Sequence, residues 1–215
     1  LMLFQIFLTA AIVPKSQDVA RSFLRTSSIN YLENFIKPKI FNDAVKGLTI
    51  YSNSKDELGN LKEIYPHIIY ICRGQGDTLE SQKKLIKELK LESNVLFLKN
   101  LSKDEKNSYL KNSNVFVMPS ISYKKSVEGF GIVYVEAAQY GVPSIGGKVG
   151  GASDAIVNNE TGLLCDGNNL DEIYQSLVDI LQNNKFKVLG KNAEENAKKF
   201  LWQEIIKSYL LILKN

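Results

Sequence analysis

The sequence is poor in the residue types that many catalytic and nucleic-acid-binding sites require. Among its 215 residues there is one histidine, His67, which stands beside Pro66 at the start of an apolar run, so we interpret it as structural. No run of five or more like charges occurs, and a dedicated nucleic-acid surface is therefore not expected. The formal net charge of +4 allows weak attraction to anionic membrane surfaces. The chain contains no internal repeat and no low-complexity tract.

Cysteine is also scarce. The only two, Cys72 and Cys165, both lie inside apolar runs that resemble strands. We interpret them as buried, reduced thiols, because a free cysteine packs as a small apolar side chain. This interpretation favours a reducing, cytoplasmic environment.

The length and the 44% hydrophobic content suit one globular domain. The apolar start, "LMLFQIFLTAAIVPK", is too short to span a membrane and lacks the features of a signal peptide. We expect residues 1–46 to be a remnant or linker and residues 47–215 to be a Rossmann-like domain.

From residue 47 onward, short apolar runs alternate with longer amphipathic segments. The runs are nearly continuous in apolar character, which is typical of parallel strands buried on both faces. We predict strands at residues 47–51, 67–73, 94–99, 114–119, 143–147 and 162–166. The pattern predicts an α/β fold with a doubly wound parallel sheet.

The helices between these strands carry recognisable start signals. Ser102 with Glu105 and Asn169 with Glu172 have the spacing of a capping box. The final segment, "FLWQEIIKSYLLILKN", predicts a terminal helix, in which we interpret Trp202 and Tyr209 as core residues.

In a doubly wound sheet, ligands bind beyond the carboxyl ends of the strands. Most of the residues that follow the predicted strands are glycines or carry polar groups, and all of them should meet at one edge of the sheet. They are Arg73, Gly74, Gly76, Leu101, Ser120, Gly146, Gly147, Gly150 and Gly151.

The segment "SVEGFGIVYVEAAQYGVPSIGGKVGG" predicts a binding site at a helix start. A helix should begin near Gly131 and end at Gly141, with Pro143 preventing its continuation. Its first N–H groups have no partner within the helix, and the glycines at 129 and 131 let a ligand approach them. These features suit a phosphate group.

Two carboxylates flank this turn. Glu136, within the helix, could accept hydrogen bonds from two neighbouring hydroxyls, such as those of a ribose. Glu128 precedes the helix and would face a sugar beyond the phosphates. The order of groups indicates a nucleoside diphosphate sugar.

At this point the sequence resembles a known family. The segment from Glu128 to Leu164 is similar to the donor-binding signature of retaining glycosyltransferases of family 4, which have the GT-B architecture. The preceding "YPHIIYICRGQGD", "NVLFLKNLSKDE" and "LKNSNVFVMPS" and the closing "FLWQEIIKSYLLIL" match that family's order of elements. The variant most resembles the branch that includes phosphatidylinositol mannosyltransferases.

The resemblance implies roles for individual residues. Glu136 would bind the donor ribose, and Glu128 would act at the donor sugar as the catalytic carboxylate. The backbone of Gly129, Phe130, Gly131 and Ile132 would hold the sugar and the diphosphate, Leu101 would contact the base, and Gly74, Gly76 and Ser120 would line the cleft. No metal would be required, which agrees with the absence of an Asp-x-Asp motif. The donor would be GDP-mannose or a UDP-sugar.

The sequence departs from the family's pattern at two places. The family's arginine and Lys-Gly pair after the first strand are missing, and Lys46, Lys55 and Arg73 are the candidates to replace them at the diphosphate. Residues 1–46 are also too few to form the acceptor-binding domain. We therefore expect a donor-binding half that needs a further domain or a partner chain to transfer a sugar to a lipid or saccharide acceptor.

Other interpretations remain open. An epimerase or a phosphorylase could share the architecture, and a non-catalytic nucleotide-binding module could pair with another chain. Gly74-x-Gly76 fits a plain turn as well as a dinucleotide site, and Gly150-Gly151 could allow close backbone packing or contact the donor. Glu128 could instead be a solvated loop residue.

Overall fold

A computed structural model describes residues 7–12, 65, 68–73, 79–98, 101–122 and 127–213. Six strands and seven α-helices lie in these ranges. The strands are β1 (Phe7–Ile12), β2 (Ile69–Arg73), β3 (Val95–Leu98), β4 (Phe116–Met118), β5 (Ser144–Gly147) and β6 (Gly162–Cys165). The helices are α1 (Leu79–Glu88), α2 (Lys103–Lys111), α3 (Ile132–Ala138), α4 (Ala152–Ala155), α5 (Leu170–Leu181), α6 (Lys185–Ala197) and α7 (Trp202–Leu213).

Five of the six predicted strands are confirmed, each within two residues of its predicted bounds at either end. The sixth, at residues 47–51, lies outside the described residues. β2 pairs with β3, and β4 with β5 and β5 with β6, all in parallel. The parallel α/β sheet predicted from the apolar runs is therefore present.

The strand β1 is a departure from that prediction. It comes from the segment that we expected to be a remnant or linker, and it pairs antiparallel with β2, with an irregularity between Thr9 and Ala11. Its backbone also lies within 8 Å of β4, and the described strands form two three-stranded sheets, in the orders β1-β2-β3 and β4-β5-β6. The sequence analysis predicted no strand in this segment, so β1 is an antiparallel addition to the predicted parallel strands.

The sheet is covered on both faces, as the doubly wound arrangement requires. Alternate residues of β4 point to opposite sides: Val117 joins the cluster packed under α1 and α5, whereas Phe116 and Met118 join the cluster under α3 and α4. Alternation of side chains along a strand explains this division. Burial on both faces is the physical reason why the strands read as continuous apolar runs.

Capping fixes where two of the helices begin. The side chain of Ser102 accepts from the Glu105 amide while Glu105 accepts from the Ser102 amide, which confirms the predicted capping box. Asn169 likewise caps α5 by accepting from the Glu172 amide. The predicted hydrogen bond from the Asn169 amide to the Glu172 carboxylate is wrong. Glu172 accepts instead from the Asp166 amide and from Lys148.

The predicted terminal helix is confirmed as α7, but its aromatic residues are not in the core. Trp202 is 74% exposed and Tyr209 is 64% exposed, so the interpretation of both as core residues is wrong. Helical periodicity identifies an apolar surface but does not reveal whether another element covers it. Within the described part of the chain, no helix combines the length and the apolar character needed to cross a bilayer.

Candidate functional site

The turn before α3 can be formed only by glycine at its last position. Gly131 has φ +79° and ψ 54°, in the left-handed region, and a Cβ there would overlap the ring of Tyr134. A Cβ on Gly129, by contrast, would meet no atom of the described residues within 4 Å, its two chain neighbours aside. The predicted helix start is confirmed, and the space beside Gly129 is open.

A second glycine pair holds this turn in place. The amide of Gly151 donates a 2.9 Å hydrogen bond to the carbonyl of Glu128. Cβ atoms at Gly150 and Gly151 would overlap the carbonyl oxygens of Glu128 and Gly129, respectively. The structure therefore favours close backbone packing as the reason for the Gly150-Gly151 pair.

Four residues of the site lie around the phenol of Tyr134. The sequence analysis did not identify Tyr134 as part of the site. Its hydroxyl donates a 2.6 Å hydrogen bond to the carbonyl of Met118, where β4 ends. Burial raises the pKa of Tyr134 most, the charge of Glu128 adds to the increase, and hydrogen bonding with Ser120 and with the Gly147 backbone offsets part of it. Glu128, Ser120 and Gly147 thus lie together at the carboxyl edge of β4 and β5.

Glu136 is not a free carboxylate in an empty cleft. Its Oε1 atom accepts a 2.7 Å charge-assisted hydrogen bond from the Nζ atom of Lys106 on α2, and the two side chains are 33% and 23% exposed. The sequence analysis missed Lys106. The only sequence feature that could have identified Lys106 is its position three and four residues before Tyr109 and Leu110. These two residues are buried and share its helix face.

Three other predicted residues lie near the same edge. Leu101 directly precedes the capping residue of α2, and its side chain packs against the cluster of Ile71, Leu98 and Tyr109. The ring of Phe130 packs edge-on against Phe200 at 5.5 Å between centroids, so its backbone is the part left for a ligand. The side chain of Ile132, in the first turn of α3, is 63% exposed.

A further lysine at this edge was also missed. Lys148 directly follows β5, and its Nζ atom lies 2.7 Å from the Oε2 atom of Glu172. The hydrogen bond to Glu172 raises the pKa of Lys148, and the same contact lowers the pKa of Glu172. This half-exposed cation lies two residues from the glycine pair that holds the Glu128 turn.

The remaining predicted residues are not placed. Gly74, Gly76, Lys46 and Lys55 lie outside the described residues, as does the side chain of Arg73, whose backbone ends β2. Among the residues that are described, no group of three or more His, Cys, Asp or Glu side chains is arranged to hold a metal ion. A groove between α6 and α7, lined by Asn192 and Leu201 among others, includes none of the predicted site residues.

The sequence also matches a known protein family. The sequence pattern of the family described as Glycosyl transferases group 1 matches residues 51–200. The chain belongs to this family. The match contains the whole segment from Glu128 to Leu164, so the resemblance of that segment to glycosyltransferases of this group is confirmed.

Curated relatives point to the same family. The chain is 31% identical over 126 residues to a GDP-mannose-dependent alpha-(1-6)-phosphatidylinositol monomannoside mannosyltransferase of Mycolicibacterium smegmatis, covering 58% of this chain and 33% of that protein. It is 28% identical over 178 residues to a D-inositol 3-phosphate glycosyltransferase of Corynebacterium glutamicum, covering 81% and 39%. The chain thus spans about a third of the length of these relatives.

Solved structures confirm the fold. A C-terminal domain of a glycosyl transferase group 1 family protein from Francisella tularensis superimposes with a TM-score of 0.61 at 19% identity, covering 89% of this chain and 93% of that one. A glycosyltransferase from Rickettsia africae gives a TM-score of 0.65 at 20% identity, covering 92% and 50%. The predicted Rossmann-like domain of the GT-B architecture is therefore confirmed.

Proposed function

We propose that this chain binds a nucleoside diphosphate sugar at the start of α3 and serves a glycosyltransferase that moves the hexosyl group with retention of configuration. The observation that carries the proposal is the open turn at Gly129, held against the Gly150-Gly151 backbone beside the Glu128 carboxylate. Membership of the glycosyl transferases group 1 family supports it.

Each part of the donor has a candidate partner. The N–H groups at the start of α3 would hold the diphosphate. Glu128 would face the sugar, Glu136 would accept from the ribose, and the backbone at Leu101 would contact the base. During transfer, the bond from the anomeric carbon to the diphosphate oxygen breaks, a bond to the acceptor hydroxyl oxygen forms, and the leaving diphosphate takes up the hydroxyl proton. Preorganised charges and dipoles would stabilise this separation of charge.

The negative charge of the leaving diphosphate needs compensation. The helix start supplies part of it, and Lys148 and Lys106, which are paired with Glu172 and Glu136, are described cations at the same edge. Arg73, Lys46 and Lys55 remain candidates from the sequence. With these groups the proposal requires no metal ion, and a chelator should leave donor affinity unchanged.

The donor we propose is GDP-mannose or a UDP-sugar. The first follows from the name of the Mycolicibacterium smegmatis relative, and the second from solved relatives that were crystallised with UDP, including one from Anabaena with UDP and glucose. The acceptor would be a lipid or a saccharide, bound by a further domain or a partner chain. We propose a cytoplasmic location, at the inner face of the membrane if the acceptor is a lipid.

The other functions considered from the sequence receive less support. The relatives and solved structures described above are glycosyltransferases, which favours group transfer over epimerisation. A non-catalytic nucleotide-binding module would keep the diphosphate contacts but would not need the carboxylate of Glu128.

The test compares GDP-mannose with GDP in the native chain and in Glu128→Gln. If Glu128 faces the sugar, the substitution should weaken GDP-mannose about tenfold, or about 1.4 kcal/mol, and leave GDP nearly unchanged. Glu160→Gln, at an exposed carboxylate in the loop after α4, is the matched control. If UDP proves to be the preferred nucleotide, the same pair of titrations uses UDP-glucose and UDP.

If Glu128→Gln weakened the binding of GDP-mannose and of GDP equally, Glu128 would not contact the sugar. An unchanged affinity for both would contradict its role altogether.

A further inference from the structure

One carboxylate at the start of α5 joins two loops at the carboxyl edge of the sheet. The Oε2 atom of Glu172 accepts from the Nζ atom of Lys148 at 2.7 Å and from the amide of Asp166 at 2.9 Å. Lys148 directly follows β5, and Asp166 directly follows β6. Glu172 therefore bridges the loops that leave two neighbouring parallel strands.

Glu172 is held by its own helix independently of the Lys148 contact. It lies in the first turn of α5, where its amide donates to the side chain of Asn169. The Nδ2 atom of Asn169 lies 3.4 Å from the other carboxylate oxygen, Oε1. A negative charge in the first turn of a helix also interacts favourably with the helix dipole. The carboxylate is thus a fixed point to which a mobile side chain can be tied.

The loop after β5 depends on such a tie because it has little packing of its own. Residues 148–150 are exposed, and the two glycines of the loop have no side chain. The amide of Lys148 donates a 2.9 Å hydrogen bond to the carbonyl of Cys165 on β6, and three residues later the amide of Gly151 donates to the carbonyl of Glu128. The contact with Glu172 adds a side-chain anchor at the first residue of this short connection.

A second ion pair on α5 shows what is particular to this one. Lys185 and Asp179 also lie 2.7 Å apart and are similarly exposed, but they are only six residues apart in the chain. Lys148 and Glu172 are 24 residues apart and belong to different elements. Exposed ion pairs contribute little to stability. The effect of the Lys148 contact should therefore appear in the position of the loop and much less in the stability of the fold.

We propose that Glu172 is a positioning residue of the candidate site: by holding the side chain of Lys148, it keeps the Gly150-Gly151 backbone against the turn that carries Glu128. The inference rests on the proposed function, in which that turn faces the donor sugar. Glu172 acts on the sugar only through the loop, without contacting it. Small displacements of a group that orients a substrate weaken its effect, which is why such a tie matters to function.

The first experiment measures the loop itself, by hydrogen exchange of the Gly151 amide in NMR spectra of the full chain. Glu172→Gln keeps the size of the side chain but replaces one accepting oxygen by a donor group. We expect exchange of the Gly151 amide to become about threefold faster, while the amides of β5, such as that of Ile145, stay unchanged. Lys148→Met should reproduce this effect, and Lys148→Arg, which keeps charge and donors, should exchange as the native chain does.

Asp179→Asn is the matched control. It removes the other 2.7 Å ion pair of α5 and should leave the exchange of the Gly151 amide at its native rate.

The second experiment titrates the same variants with GDP-mannose and with GDP, or with UDP-glucose and UDP if uridine is preferred. In Glu172→Gln, binding of the sugar nucleotide should weaken about threefold, and binding of the free diphosphate should change by less than about 1.5-fold. Asp179→Asn should bind both as the native chain does.

Three results would overturn the positioning role. Tighter binding of GDP by Glu172→Gln would mean that Glu172 draws Lys148 away from the diphosphate. An unchanged exchange rate at Gly151 would mean that the tie does not hold the loop. Equal acceleration at Gly151 and throughout β5 would identify a general structural role. If the native chain bound neither sugar nucleotide, the proposed function itself would be wrong, and this inference with it.

Discussion

The amide of Gly151 donates a hydrogen bond to the carbonyl of Glu128 at 2.9 Å. This contact joins the loop after β5 to the turn before α3, two segments that each follow the carboxyl end of a parallel strand. It fixes the backbone on which the Glu128 carboxylate and the open space at Gly129 depend. The geometry of the candidate site is therefore set by backbone packing, and side chains are placed upon it.

Alanine substitutions at two glycines should separate this packing from ligand contact. Gly151→Ala would place a Cβ against the carbonyl of Gly129, and we expect it to destabilise the fold by about 1–3 kcal/mol and to weaken donor binding as well. Gly129→Ala adds a methyl group where, its chain neighbours aside, no atom of the described part of the chain lies within 4 Å. It should leave stability unchanged and weaken the preferred donor about tenfold or more.

Urea unfolding and calorimetric titration of both variants measure the two effects. If Gly129→Ala left the affinity of a well-bound donor unchanged, the open space beside Gly129 would not be the ligand site.

Removing one hydroxyl should show how much the Tyr134 contact contributes. Tyr134→Phe deletes the buried hydrogen bond to the Met118 carbonyl, and we expect a loss of about 1–2 kcal/mol in the free energy of unfolding. The exposed Tyr209 supplies the control, because Tyr209→Phe should change stability by less than about 0.5 kcal/mol. Equal, small effects in both variants would mean that the Met118 carbonyl is satisfied in another way.

Alkaline pH should destabilise the protein through a buried thiol. Burial, reinforced by the charge of Glu172, raises the pKa of Cys165 from its ordinary 9.0 to about 12. Because the folded pKa is the higher one, the thiol's contribution is complete below pH 9 and is lost as pH rises toward 12. The decline should reach at most about 1.4 kcal/mol per pH unit for this one group.

Free energies of unfolding at pH 8, 9.5 and 10.5 measure the slope. Cys165→Ala should reduce the loss of unfolding free energy between pH 9.5 and 10.5 relative to the native chain, with little change in the pH dependence near pH 8. An unaltered slope in this variant would assign the alkaline loss to other groups, such as the buried Tyr70 and Cys72, whose pKa values are also raised.

Glu136→Ala should affect donor binding more than folding. The loss of its contacts with a ribose should cost about 2–4 kcal/mol, equivalent to roughly 30- to 1000-fold in dissociation constant. Folding should lose only about 1 kcal/mol, because the ion pair with Lys106 is partly exposed to water. Calorimetry and urea unfolding give the two values, and equal losses would identify Glu136 as a structural residue.

Much of the fold could be predicted because its determinants are local. Apolar runs bounded by turns indicated β2 to β6, and the Ser102–Glu105 spacing indicated where α2 begins. The glycine at 131 and the apolar helix after it indicated α3, since only glycine adopts that turn readily.

The missed features all depend on pairs that are distant in sequence. Lys106 and Glu136 are 30 residues apart, and Tyr134 and Met118 are 16 apart, so no local pattern indicated either contact. The same holds for the antiparallel pairing of β1 with β2, and for the exposed apolar surface of α7, where periodicity alone suggested burial.

The most direct test of the account is calorimetric titration of the folded native chain with GDP-mannose, with UDP-glucose as comparator. The account predicts saturable binding of at least one of them, and the preferred nucleotide would identify the base. If neither binds to a chain whose circular dichroism shows the expected α/β content, the turn from Glu128 to Gly131 has the shape of a donor site without its function.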